Sequence, residues 1–126
     1  VAETPAEAVA GADVIVTMLG DGSHVREVME RAEPTSGQVW AQMTTAGADQ
    51  TALLAIASER GLRFVDAPVV GTRAPAESGQ LLVLAAGSPE ARAAVQPVFD
   101  AVGRETRWVA DTATGLAASR LKLVVN

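Results

Sequence analysis

Apolar residues fall along this chain in short blocks, separated by glycine, proline and small polar residues. The blocks alternate between two kinds. Residues 12–19 (ADVIVTML) form a near-continuous apolar run bounded by Gly11 and by Gly20-Asp21-Gly22, which predicts a buried parallel strand. Residues 38–44 read as a second strand. Leu62, Phe64 and Val65 read as a third, running into Asp66-Ala67-Pro68. Between the strands the apolar positions recur at helical spacing. Val25, Val28 and Met29 follow Ser23, a plausible N-cap, and Leu53, Leu54, Ile56 and Ala57 run to a stop at Gly61. Pro5 to Ala10 reads as the tail of a further helix stopped at Gly11.

The second half continues with a strand over Leu81-Leu82-Val83-Leu84. A helix then opens at Ser88-Pro89-Glu90, with Ala94, Val95, Val98, Phe99 and Val102 on its apolar face. Arg107-Trp108-Val109 reads as a short strand, and the chain looks helical from about Ala113. Alternating strands and helices make an α/β fold with a mostly parallel sheet the default. The link from Asp66 to Leu81 is short and rich in Gly and Pro, so no crossover helix is expected there. That pair of strands is expected to be antiparallel, giving the sheet a mixed edge.

Composition narrows the function classes. The chain has 126 residues, 48% of them apolar and 20% charged, as in an ordinary globular domain. Two Trp, two Phe and no Tyr leave a core of Ala, Val and Leu. Cysteine is absent, which excludes disulfides and thiolate metal sites. The Asp and Glu residues show no ligand spacing, so no metal is expected. A net charge of -5 argues against nucleic acid or an anionic membrane as partner. No run approaches a membrane span and no signal peptide is visible, so a cytoplasmic protein is expected. Val1 and the apolar stretch that ends at Asn126 read as the edges of a fragment.

Three places carry candidate chemistry. The loop Met18-Leu19-Gly20-Asp21 and the turn Gln42-Met43-Thr44-Thr45-Ala46-Gly47 both follow strands. Loops at the carboxyl ends of strands are where open α/β sheets bind ligands. The residues alone say no more, and a Thr at a strand end equally caps the next helix. The third place is the C-terminal helix. Lys122 is the only lysine among ten basic residues, set between Leu121 and Leu123-Val124-Val125. Asn126 lies four residues on, and Ser119 shares the face. A lone lysine ordinarily faces water. A buried Lys and Asn on an apolar helix would be costly without a purpose. Lone His24, on a polar helix stretch, is expected at the surface.

The stretch DAPVVGTRAPAESGQLLVLAAG (66–87) resembles the substrate-binding segment of the β-hydroxyacid dehydrogenase family. That family includes 3-hydroxyisobutyrate dehydrogenases and glyoxylate/succinic semialdehyde reductases. Gly71-Thr72-Arg73-x-Pro75-Ala76-Glu77-x-Gly79-Gln80-Leu81 leans toward the reductase branch. The resemblance covers essentially the whole chain. It implies a Rossmann-like domain, of which this is the second half: residues 1–112 as part of an NAD(P)-binding domain, 113–126 as the start of an inter-domain helix. It implies hydride transfer between NAD or NADP, with NADPH slightly favoured, and a small aldehyde, keto acid or 3-hydroxy acid, in a homo-oligomer.

The same resemblance assigns roles. Lys122 and Asn126 match the catalytic pair. Met18, Leu19, Gly20 and Thr45 match cofactor contacts, and Val70, Gly71 and Thr72 match substrate contacts. Departures bear on specificity. Gly20 replaces the family's usual Pro, Ala118 its usual Gly, and Val70 a Ser that holds the substrate carboxylate in many relatives. No Gly-x-Gly-x-x-Gly turn occurs, so the isolated fragment is expected to be inactive. Two alternatives remain open. An imine reductase usually lacks the Lys, and a catalytically silent binding module fits Val70 and the missing phosphate turn.

Overall fold

The computed structural model describes residues 1–71 and 73–125. Among these residues six helices and six strands follow in the order α1 (Pro5–Val9), β1 (Val14–Thr17), α2 (Gly22–Ala32), β2 (Val39–Gln42), α3 (Gln50–Arg60), β3 (Arg63–Asp66), β4 (Val69–Val70), α4 (Arg73–Glu77), β5 (Leu81–Ala86), α5 (Pro89–Val102), β6 (Gly103–Ala110) and α6 (Ala117–Val125). A 3-10 turn over Gly47–Asp49 leads into α3.

β1, β2 and β3 are parallel neighbours, in register as the apolar runs predict. β3 and β4 act as one strand interrupted at Ala67-Pro68. Asp66 pairs with Ala86, Val69 with Val83 and Val70 with Leu82, and Leu84 N–H donates to Pro68 O across the interruption (3.0 Å). A single antiparallel register thus joins β3–β4 to β5, as expected of the short link. β6 runs parallel to β5 on its other side. The mixed sheet therefore carries an antiparallel pair inside a mostly parallel order.

The differences from expectation are local. The N-cap of α2 is Asp21 rather than Ser23. Asp21 Oδ1 accepts the His24 N–H (3.0 Å) and the Ser23 hydroxyl (2.8 Å). A carboxylate serves the first turn better than a hydroxyl, because it also complements the helix dipole. The link from Asp66 to Leu81 holds the short helix α4, which does not cross the sheet. β6 is longer than the predicted Arg107–Val109, and helix α6 begins at Ala117 rather than near Ala113. Leu116, with φ of 51°, turns the chain just before it. His24 is exposed, as expected.

Strand alternation sorts the core onto two faces. Ile15, Trp40 and Phe64 point to one, where Val25, Met29, Leu53 and Ala57 of α2 and α3 cover them. Trp40 and Phe64 meet edge to face at 5.0 Å. Val39, Ala41, Val65, Val83 and Ala85 point to the other, under Val95 and Phe99 of α5. Helix α6 packs Ala118 on Leu84 and Ala86, with Val70, Leu82 and Leu121 half-buried around it. Among the described residues no helix is long and apolar enough to cross a membrane, and no group of three or more acidic or His side chains is placed to hold a metal.

Candidate active site

The parallel strands end together. Thr17, Gln42 and Asp66 are the last residues of β1, β2 and β3, and they are direct register partners. They follow Ile15, Trp40 and Phe64 by two positions, so they lie on the same face. All three are buried, Gln42 and Asp66 completely. A polar row thus closes the carboxyl end of an otherwise apolar face. Burying such groups is costly unless each finds a partner.

They do find partners. Trp40 Nε1–H donates to Thr17 Oγ1 (2.9 Å), and the Thr17 hydroxyl donates to Gln42 Oε1 (2.9 Å). Gln42 Oε1 also accepts the Thr44 N–H (2.9 Å). Its amide donates to Thr44 O (2.9 Å) and to Gln50 Oε1 (2.8 Å). Gln50 Nε2 in turn donates to Asp66 Oδ1 (2.8 Å). Asp66 further accepts the Ser119 N–H at Oδ2 (2.9 Å) and the Ser119 hydroxyl at Oδ1 (2.5 Å). No buried side-chain N or O among the described residues lacks a partner.

Ser119 stands in the first turn of α6, so the Asp66 carboxylate caps that helix from the end of β3. Helix N-termini leave N–H groups unpaired, and a negative group there is favourable. One turn further on comes Lys122, which is 7% exposed, whereas its neighbours Leu123 and Val124 are 73% and 82% exposed. The usual order of an amphipathic helix is inverted: the ammonium-bearing residue lies inside and apolar ones lie outside. Lys122 lines a small crevice of about 30 Å³ with Thr45, Ala46, Gly47, Pro68, Ser119 and Leu123. Thr45 and Lys122, distant in sequence, thus meet between the ends of β2 and β3. A larger hollow of about 420 Å³ lies over β6, lined by Gly87, Arg92, Trp108 and Asp111 among others, and shares no residue with the crevice. The crevice brings a buried lysine and an exposed threonine into one lining.

Met18, Leu19 and Gly20 are exposed just beyond β1. The Leu19 N–H is already used, donating to Thr44 Oγ1 (2.8 Å). Of the two adjacent threonines, Thr44 is therefore the internal latch and Thr45 the one open to a ligand. Met18 and Leu19 are exposed apolar side chains just beyond β1, and Met18 shares an apolar hollow with Val16, Met43, Leu81, Val98 and Val102 on the α5 side of the sheet. The loops after β1 and β2 also touch closely. A Cβ at Gly22 would lie 2.5 Å from Asp49 Cβ, a distance no side chain tolerates.

Val70 turns into the cluster under α6 rather than toward the crevice. Gly71 is exposed with φ of +140°, a conformation that favours glycine, and a Cβ there would lie 2.7 Å from Leu81 Cδ2. Thr72 and Asn126 lie outside the described residues. Gln42, Gln50 and Asp66 carry the site's internal order, and sequence reasoning missed all three. The available signal was parity: Ile15-x-Thr17, Trp40-x-Gln42 and Phe64-x-Asp66 repeat an apolar-x-polar step at three strand ends.

Residues 1–110 match the family model for the NAD-binding domain of 6-phosphogluconate dehydrogenase. Glyoxylate/succinic semialdehyde reductase 1 of Arabidopsis thaliana is 30% identical over 132 residues, an alignment covering 100% of this chain and 45% of the relative. The NAD-dependent L-serine dehydrogenase of Pseudomonas aeruginosa is 35% identical over 109 residues, covering 82% of this chain and 37% of the relative. The solved structure of 3-hydroxyisobutyrate dehydrogenase from Mycobacterium tuberculosis with L-serine superposes with a TM-score of 0.84 at 25% identity, over 98% of this chain and 43% of that one. The chain thus spans less than half the length of these relatives.

Proposed function

The chain belongs to the family of the NAD-binding domain of 6-phosphogluconate dehydrogenase, and on that premise we propose that the whole protein transfers a hydride between NAD(P)H and a small aldehyde, keto acid or hydroxy acid. The observation that carries this reading is the burial of Lys122 in one crevice with Thr45 and Pro68, at the carboxyl ends of β2 and β3. The relatives' names, a semialdehyde reductase and an L-serine dehydrogenase, support a substrate among small oxygen-bearing acids and aldehydes.

A bound nicotinamide supplies the hydride in the reductive direction and accepts it in the oxidative one. Met18 and Leu19 would offer their side chains to it, Gly20 its main chain and Thr45 its hydroxyl. The Leu19 N–H is not among these contacts, because Thr44 holds it. Hydride delivery to a carbonyl carbon leaves negative charge on the oxygen. The Lys122 ammonium, placed beside that oxygen, stabilises the charge and gives up a proton to form the hydroxyl. In the reverse direction the neutral amine takes the proton back. An arginine could not serve, because it does not release its proton. Asn126, four residues on in the sequence, would orient the amine or the substrate. The main chain at Gly71 and the Thr72 hydroxyl would take the substrate carboxylate, since Val70 brings no hydroxyl.

The test is NADPH and NADH oxidation by the full-length protein with a panel of small aldehydes and keto acids. Lys122→Met is expected to lower kcat by ~10²–10⁴-fold, the usual contribution of a general acid. A loss of only a fewfold would favour a binding module without catalysis. The isolated 126-residue chain is expected to bind NADPH weakly in a fluorescence titration, because it carries no Gly-rich phosphate turn.

A further inference from the structure

We propose that Asp66 is the positioning residue for Lys122: its carboxylate sets the start of α6, and the buried Gln42–Gln50 pair holds that carboxylate in place. The inference rests on the reading of Lys122 as the proton donor.

The argument begins with hydrogen-bond direction. The side-chain to side-chain bonds of the row all run toward Asp66. Trp40 gives to Thr17, Thr17 to Gln42, Gln42 to Gln50, and Gln50 to Asp66. From the other side Ser119 gives two more, its N–H and its hydroxyl. The row needs an end that accepts at both of its atoms, and among side chains of this size only an ionised carboxylate does so. An Asn at 66 fails whichever way it is turned. With its NH₂ at the Oδ2 position it faces the Ser119 N–H. With its NH₂ at the Oδ1 position it faces the Gln50 NH₂. Flipping Gln50 then sets oxygen-seeking donors of Gln42 and Gln50 against each other. Gln42 cannot flip in turn, because its oxygen already takes the Thr44 N–H and the Thr17 hydroxyl.

The consequence falls on Lys122. The helix that carries it rests on β5 through Ala118 and touches the ends of the parallel strands through Ser119, one turn upstream, so the Asp66 contact adds a directional anchor to the depth and rotation of α6 there. The other end of the same row reaches Thr44, which clasps the Leu19 N–H in the loop after β1. The proton donor and the candidate cofactor loop are thereby built on one rigid array. A misplacement of about 1 Å in such a constellation costs ~10²-fold in rate.

The experiment is a double-mutant cycle in the full-length protein, using Asp66→Asn and Ser119→Ala, each alone and with Lys122→Met. Asp66→Asn is expected to lower kcat by ~10²-fold with little change in the KM for NADPH. In the Lys122→Met background it should cost almost nothing further, because a residue acting through the lysine has nothing left to position. Ser119→Ala keeps the helix N–H and sits at a half-buried position, so it folds if Asp66→Asn does not. It should show the same pattern at smaller size. A second readout is independent of turnover: labelling of Lys122 by an amine reagent, followed by peptide mass spectrometry, should run faster in both variants. Equal losses with and without Lys122, or an unchanged labelling rate, would overturn the inference while leaving the lysine's role intact. If Lys122→Met itself keeps its activity but labelling still accelerates, the hydride-transfer reading fails and Asp66 still positions the amine.

Discussion

The two faces of the parallel sheet are built on opposite principles. The face under α5 is apolar to its end: Val39, Ala41 and Val65 lie beneath Val95 and Phe99, and Met43 extends the row past the last strand residue. The face under α2 and α3 begins the same way, with Ile15, Trp40 and Phe64, and then turns polar at Thr17, Gln42 and Asp66. The first arrangement is non-directional and tolerates small shifts. The second fixes each group by direction as well as distance, since a rotated amide loses its partner. Helix α6, with Lys122, is docked at the polar end. Stability and positioning are thus divided between faces of one sheet.

The division is open to test. The largest effect on stability should come from the apolar face. Phe99→Ala opens a cavity at a fully buried ring and is expected to cost ~3–5 kcal/mol, read by denaturant unfolding, while kcat of the full-length protein below its melting range stays near wild type. Gln42→Leu should reverse the proportions. It strands the Thr17 hydroxyl, the Thr44 N–H and one end of Gln50, for a cost of about 1–3 kcal/mol, yet it should lower kcat more than Phe99→Ala does. Comparable kcat losses from the two variants would abolish the distinction. Thr44→Val releases the Leu19 N–H and the longer bond that the Thr44 hydroxyl gives to Thr17 O (3.4 Å), for ~1 kcal/mol, and should raise the KM for NADPH more than it lowers kcat.

The smallest effect is one of pH. The Asp21 carboxyl is held below its usual value of 3.8, chiefly by the His24 N–H and next by the Ser23 hydroxyl. A carboxyl lowered in the folded state stabilises above its unfolded value and loses that contribution as pH falls through the folded one. The cap on α2 should therefore persist at pH 4 and release only below it. The group is fully exposed, so the change should be confined to the first turn of the helix. The amide shift of His24 in an NMR titration would report it, and a midpoint above 3.8 would contradict the assignment.

Most of the architecture is legible in the sequence because it is written in periodicity. The run ADVIVTML, the helical spacing of Leu53 and Ala57, and the Ser88-Pro89 opening each have one sensible reading, and the structure follows them. The antiparallel pair follows from the shortness of the link before Leu81. The roles expected of Lys122 and Thr45 rest on a family resemblance, not on periodicity. What escapes is anything set by contacts distant in sequence. Asp66 and Ser119 are 53 residues apart and Gln50 and Asp66 are 16 apart, and no local pattern marks them as partners. The N-cap of α2 was misplaced for a smaller reason: Asp21 and Ser23 are both good caps, and only the dihedral angles choose between them.

The glycine at position 22 has a consequence for how freely this protein can vary. Because the start of α2 rests directly on Asp49, every one of the other nineteen residues would drive a wedge between it and the turn after β2. Mutagenesis of this corner should leave that position alone and explore Gly20 instead, where an added methyl would meet only His24 Nδ1 at an ordinary 3.7 Å.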